Sequence, residues 1–497
     1  MKWYIGLAAF AFAVLACAAV WFGGLNQDEG WYLYAANLVG EGYLPYRDFF
    51  YTQGPVMPIV YSVFSSIWRN WGLLGARIFT LALGAIGILF ASAAAGRLAE
   101  REKRGLAAIV VALLLGGNLY HLYYMAIPKT YALAGLFVAI GFYLLTFCGR
   151  ACLFGAGLCL AFAAGTRFSL GVLCVVALIW LLARGERLGW LWFGLGGAIG
   201  GALVFGPILL DPAGRTGFFA ALRYHTAREG FDAMVAAGSL SRLVRWYAPV
   251  FVMLGLGLGC GRFRRGVGLA MAGFGAVFAV QMMAPVPYED YQVPIMGLLA
   301  MSAGVMASEV EFAKCRLSPA LLALGLAWAG SFGSPLLEGW TTNGHDRFWT
   351  NKKAKSEIRQ LMEVAQDIES LDPGGKEILT QDLYLAIETN RRVPIQLAMG
   401  PFAYWGDTLP YAGAEKVLLD DAGMEALLES APCEIAAMSG YTFAITAPGG
   451  SETPMERQIW FWSLLKRRYN MVFTEEDFGQ HATPLLVLKR KNGQDVR

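Results

Sequence analysis

The sequence predicts a polytopic α-helical membrane protein of about eleven transmembrane helices, followed by a C-terminal soluble α/β domain. Three observations predict it. Of 497 residues, 56% are apolar and only 15% charged, unlike an ordinary soluble protein. Apolar runs of about 15 to 22 residues recur down to about residue 332, each long enough to cross or nearly cross a bilayer. The charge balance then changes sign: residues 1–332 hold 23 basic and 14 acidic side chains, whereas 333–497 hold 17 and 23. The net +3 joins a basic membrane region to a mildly acidic soluble one, and nothing in that balance suggests a nucleic-acid partner.

The spans fall near 4–24, 75–96, 105–119, 130–147, 151–166, 168–183, 189–210, 247–261, 266–284, 291–307 and 318–332. Basic residues beside short connections set their orientation. With Lys2 inside, the cytoplasmic side receives Arg97, Arg101, Lys103 and Arg104, then Arg184 and Arg187. It also receives Arg262, Arg264, Arg265, Lys314 and Arg316. An odd number of spans then places the C-terminal domain outside, in the periplasm of a bacterial inner membrane. A signal peptide with Val14-Leu15-Ala16-Cys17 as a lipoprotein-type cleavage site is the rival reading of the first span. It would remove the helix that presents residue 28 at the membrane surface. Gly196-xxx-Gly200 and Gly197-xxx-Gly201 in the seventh span read as close helix-packing motifs.

Two outer loops, 25–74 and 211–246, are too long to be mere connectors. The first predicts an amphipathic helix capped by Asp28 and ending near Gly40 or Gly42, then a second begun by Pro55 and reaching Trp71. Trp31, Tyr32, Tyr34, Trp68 and Trp71 suit headgroup level. The other loop holds Arg215, Arg223, His225, Arg228, Arg242 and Arg245. In 333–497 a charged helix at 352–370 precedes a strand at 377–380. Helices follow near 382–389, 421–431 and 454–468, with strands near 434–438, 470–474 and 484–490, the alternation of a small α/β domain. Thr380-Gln381-Asp382-Leu383-Tyr384, Asn390-Arg391-Arg392-Val393-Pro394 and Met399-Gly400-Pro401-Phe402-Ala403-Tyr404-Trp405 lie at element ends, where they would touch an acceptor or dock the domain.

Chemistry points to Asp28 and Glu29, directly after the first span. A carboxylate pair at the outer mouth of a membrane protein is costly to place and usually functional. An acid there can act as a general base on a substrate approaching along the bilayer surface. The competing readings are a helix cap for Asp28 and a solvated first-turn acid for Glu29. Ten basic residues lie outside against the positive-inside bias: Arg47, Arg69, Arg77, Lys129, Arg167, Arg215, Arg223, Arg228, Arg242 and Arg245. Singly, each reads as a side chain snorkelling to headgroups. Together with Asp28 they read as a cluster around one anionic ligand, and the planar fork of Arg suits a lipid phosphate.

No nucleotide sugar is expected outside an inner membrane, so an external glycosyltransferase needs a donor carried on a lipid. In a polyprenyl-phosphate sugar the phosphate is the leaving group, and cations stabilise its developing charge. A carboxylate that deprotonates the acceptor hydroxyl on the opposite face of the sugar then yields inversion. Cys148, Cys152 and Cys159 share a helical face without histidine or acid and read as packing residues. His121 and His225 read as interfacial polar residues, and His345 and His481 lack any spacing that suggests zinc.

Several motifs together resemble the first outer loop of GT-C membrane glycosyltransferases. They are Asp28-Glu29-Gly30, Gly42-Tyr43-Leu44-Pro45-Tyr46, Asp48-Phe49 and Gly54-Pro55-Val56-Met57-Pro58. The similar branch is the glycosyltransferase family 39-like group of protein O-mannosyltransferases and lipid A aminoarabinose transferases. Arg77 in Gly75-Ala76-Arg77-Ile78 resembles the arginine that opens the second span there. Thr166-Arg167 and Tyr288-Glu289-Asp290-Tyr291-Gln292-Val293-Pro294 resemble later, weaker signals. The resemblance covers about 1–332 and is specific over 28–97.

It implies a GT-C fold, Asp28 as the catalytic carboxylate and Glu29 as its neighbour. Arg47, Arg77, Lys129, Arg167 and Arg223 are then the candidates for donor phosphate, and Tyr46, Asp48, Glu229, Asp232 and Tyr288 for acceptor contact or loop function. One departure stands out. Many relatives carry an acid near the start of the fourth span, where this chain has Pro128-Lys129-Thr130-Tyr131; Glu229 or Asp232 are the candidate substitutes. No metal ligands are assigned, and a divalent metal is not expected.

The expected partners are a polyprenyl-phosphate-linked sugar donor, a lipid, glycan or protein acceptor, and membrane lipids. A transporter or flippase would place ionisable groups or broken helices near the midplane. Here the acids of 1–332 fall in loops or at span ends. A non-catalytic scaffold with a periplasmic binding domain would leave Asp28, Glu29 and the external basic set unexplained.

Overall fold

The chain, described by a computed structural model over residues 2–185, 188–226, 231–260, 265–310, 318–345 and 349–491, is mainly α-helical. Packing sorts it into two compact units that do not follow chain order. One comprises Met1–Phe22, Arg77–Gly206 and Gly230–Lys352; the other comprises Gly23–Ala76, Pro207–Glu229 and Lys353–Arg497. This is a grouping by contact, different in kind from the membrane and soluble regions expected on either side of residue 332.

The first unit consists largely of apolar helices. Lys2–Trp21, Arg104–Gly116, Thr130–Leu145, Arg150–Thr166, Val172–Ala183, Ala248–Cys260, Arg265–Met282, Met296–Ala307 and Pro319–Phe332 lie where spans were expected. Among the described residues, Ser66–Leu98, Gly189–Leu210 and Pro319–Thr341 are long and apolar enough to cross a membrane. Arg104–Gly116 and Leu119–Ala126 make a fourth if that pair, bent by 72°, is one span. Other apolar helices run to 10–17 residues.

The bend falls at Gly117-Asn118, and its backbone is satisfied. Asn118 accepts the His121 amide and donates to the Trp246 carbonyl at 2.9 Å. The Ser331 hydroxyl accepts the Leu119 amide and donates to the Gly117 carbonyl. Broken helices are tolerated at membrane depth only when freed backbone groups find such partners.

Of the two overlapping glycine motifs, one is used fully. Gly196 lies against the Phe154 backbone and Gly200 against Ala161, whereas a side chain at Gly201 would meet nothing within 4 Å. Lipid removes most of the hydrophobic drive for helix association, so close backbone packing supplies the contact.

The second unit gathers the loop 23–76, the helix Pro212–Thr226 and the C-terminal residues. Helix Gln27–Gly40 ends where Gly40 and Gly42 predicted, and Val56–Ser62 follows Pro55. The next helix, Ser66–Leu98, is kinked at Trp71–Gly72, where Gly72 adopts φ 57°. Only glycine enters that region without strain. The Glu388 carboxylate sits against Gly72 and accepts the Leu73 amide at 2.7 Å, supplying a partner to the restarting helix.

Beyond residue 352, helices Glu357–Leu371, Leu383–Glu388, Asp421–Ser430 and Met455–Arg468 match the expected positions within a few residues. Ser356 caps the first of them, so the charged helix begins at Glu357 rather than near 352. Strands Ile435–Ser439, Thr483–Arg490 and Tyr469–Phe478 form an antiparallel sheet in that spatial order. The expected strand at 377–380 joins only through isolated bridges, Leu379 to Ala436 and Glu377 to Arg392.

Candidate active-site residues

Helix Gln27–Gly40 starts from Asn26, not from Asp28, which corrects the expected cap. The Asn26 side chain accepts the Asp28 amide at 3.1 Å, and Glu29 Oε1 accepts the Asn26 amide at 2.9 Å. This is a capping box, with Asn at the cap and Glu three residues on. Glu29 is fully buried in that role, so it is not the solvated acid of the alternative reading. Asp28 lies within the first turn, where the helix dipole favours a negative charge, and its Oδ1 accepts the Trp31 indole N–H at 2.9 Å.

Around it the unit packs aromatic rings. Trp31 stacks on Tyr32 at 3.7 Å between centroids, and Tyr51 meets both edge-on. Tyr46 is buried with its hydroxyl donating to the Gln53 carbonyl, and its ring meets Phe218 of helix Pro212–Thr226. Its neighbours face out. Arg47 makes a two-point pair with Asp48 at 2.9 and 2.7 Å, and that guanidinium holds the Asp48 carboxyl below its ordinary value. Arg223 is exposed in the last turn of Pro212–Thr226, and the nearby His225 Nε2 meets the Thr52 carbonyl oxygen. Trp405 of the expected acceptor loop packs against Phe50 and Tyr224.

In the first unit, Lys129 and Arg167 come together. Lys129 Nζ lies 3.4 Å from Asp290 Oδ2, which also accepts the Tyr131 hydroxyl at 2.8 Å. Arg167 donates to Thr130 at 3.3 Å, and its guanidinium carbon stands 4.8 Å from the Tyr131 and Tyr291 ring centroids. Lys129 and Arg167, both buried, thus meet one wall of tyrosines, and Lys129 faces the buried carboxylate of Asp290. Arg77 is fully buried and donates to the Val20 carbonyl at 3.2 Å.

Asp232 caps helix Ala233–Trp246, accepting the Met234 and Val235 amides. Tyr288 is half exposed and packs edge-on against Tyr291. Glu229 and Arg228 lie outside the described residues, as do Arg187, Arg262, Arg264, Lys314 and Arg316. Among the described residues no group of three or more His, Cys, Asp or Glu side chains comes together to hold a metal.

The carboxylate that reaches the start of the fourth span is Asp290, from the short 3-10 turn Glu289–Ile295. From the sequence, Tyr288 is the expected site residue of this stretch rather than Asp290. The available signal was an acidic pair between two tyrosines in an otherwise apolar region.

The fold is that of the GT-C membrane glycosyltransferases. The chain is similar in structure to ArnT from Cupriavidus metallidurans bound to undecaprenyl phosphate, with a TM-score of 0.66 and 12% identity over 99% of each chain. It is likewise similar to the apo state of that ArnT, at 0.64 and 13% over 98% of each chain. No family model and no curated protein matches the sequence itself.

Proposed function

We propose that the protein is an inverting GT-C glycosyltransferase that moves a sugar from a polyprenyl-phosphate carrier to an acceptor at the periplasmic face of an inner membrane. The observation that carries this reading is the fold shared end to end with ArnT, which was solved with undecaprenyl phosphate bound. In this reading residues 1–332 are the membrane region, with a cytoplasmic N-terminus, and 333–497 lie in the periplasm.

Asp28 is the general base. It takes the proton of the acceptor hydroxyl as that oxygen attacks the anomeric carbon; the bond from that carbon to the phosphate oxygen breaks, and polyprenyl phosphate leaves with the electron pair. Lys129 and Arg167 are candidates for holding the phosphate and stabilising the charge it gains. Arg77, Arg47 and Arg223 are further candidates for that contact. Glu29 holds the helix start, and Asp290 keeps the Lys129 ammonium oriented.

The test is sugar transfer from a panel of synthetic polyprenyl-phosphate sugars in membranes, comparing wild type with Asp28→Asn. One donor should be consumed, and the substitution should lower its turnover by about 100- to 10,000-fold. A panel left untouched, or an Asn variant as fast as wild type, sinks the reading. Transfer is expected to persist in chelator; loss restored by a divalent ion would reverse that expectation.

A further inference from the structure

We infer that Gln480 and Glu357, far along the chain, are positioning residues for Asp28, the first adding to the cap of its helix and the second holding the residue just before that cap. This inference rests on the role proposed for Asp28.

Four successive amides, those of residues 25 to 28, each donate to a side-chain oxygen. Two acceptors are local, Glu29 for Asn26 and Asn26 for Asp28. The other two are distant: Glu357 Oε2 accepts the Leu25 amide at 2.6 Å, and Gln480 Oε1 accepts the Gln27 amide at 2.7 Å. A helix start leaves its first amides without intrahelical partners, and a capping box satisfies only part of that demand. Here Gln480 supplies an acceptor for Gln27, and Glu357 holds Leu25, the residue before the cap.

Further contacts within the same unit tie the helix down. The Gln27 side-chain amide donates to Asp382 Oδ1 at 3.3 Å, and Asp382 also accepts the Tyr384 hydroxyl and the Ser439 amide. Burial raises the Asp382 carboxyl above its ordinary value, opposed by those donors. Any side chain at Gly30 would overlap the Leu383–Tyr384 backbone, so the two helices meet without a gap. Farther along, the Tyr34 hydroxyl bridges the amide and carbonyl of Val393, and Arg392 pairs with Glu41 at 2.8 Å. The side chain of a first-turn residue follows the backbone of that turn, so these contacts set where the Asp28 carboxylate stands.

The decisive variants are Gln480→Ala, which removes the acceptor for Gln27, and Gln480→Glu, which keeps an oxygen there. They are compared in the full-length protein in detergent. Hydrogen exchange of the peptide covering 25–30 should quicken in Gln480→Ala and return toward wild type in Gln480→Glu. With the donor identified above, kcat should fall by about 10- to 100-fold in Gln480→Ala, with little change in donor KM, and recover in Gln480→Glu. Unchanged exchange overturns the cap. Faster exchange with an unaltered kcat overturns the positioning role. An indifferent Asp28→Asn in the wild-type background marks the failure of the catalytic reading itself and removes the inference with it.

Discussion

Around Lys129, charge is answered by charge: Asp290 faces Lys129 at 3.4 Å, and Arg242 pairs with Glu289 nearby in the chain at 3.0 Å. Around Asp28 the holding is done by backbone amides that meet side-chain oxygens. The two devices suit two tasks. A buried cation needs a counter-charge to be tolerated among helices. A base must change its own protonation state, and fixing it through the main chain positions it without committing its charge. On the proposed function, electrostatics and binding would coincide in the first unit, whereas in the second positioning and chemistry would fall on different residues.

That contrast is breakable. Removing Lys129 leaves Asp290 buried without its ammonium, so Lys129→Ala should cost about 3–5 kcal/mol of stability and abolish transfer. The double variant Lys129→Met with Asp290→Leu should recover the thermal midpoint in detergent while transfer stays lost. Recovery of transfer as well would make the pair purely structural.

Asn26→Ala should cost less, about 1 kcal/mol, with Asn26→Ser restoring most of it in chemical denaturation. A loss equal to that of Lys129→Ala would mean that the second unit is held no differently from the first.

The smallest effect sits at Glu388, whose carboxyl burial raises above its ordinary value of 4.5. An acid with a raised folded-state pKa binds its proton more tightly when folded. Its contribution to stability is thus lost as pH rises from the unfolded value of about 4.5 through the folded one. Glu388→Gln keeps an oxygen for the Leu73 amide and should flatten the midpoint-against-pH curve over that window. A slope like that of wild type would show that other groups set it.

Much of the fold could be read locally. Apolar runs gave most helices, Gly40 and Gly42 the end of the helix bearing Asp28, and Pro55 the start of the next. Those signals lie within one turn of the features they control. The cap was misplaced because Asn26 and Asp28 are both competent caps; the Asn26–Glu29 spacing of a capping box decides between them. The partners of the candidate residues were hidden for a different reason. Asp290 lies 161 residues from Lys129, and Gln480 lies 453 from Gln27. A single sequence carries periodicity and punctuation, but the choice of a distant partner is made by packing.

The distant cap also has a consequence in time. The amides of Leu25 and Gln27 leave the ribosome long before Glu357 and Gln480 exist, and at about 5–20 residues per second the wait for Gln480 is roughly 20–90 s. During translation the turn that carries Asp28 has only its two local acceptors, Glu29 and Asn26. Only once both distant acceptors have been made are all four amides of residues 25 to 28 satisfied, so the stance of the turn that carries Asp28 is fixed late in synthesis.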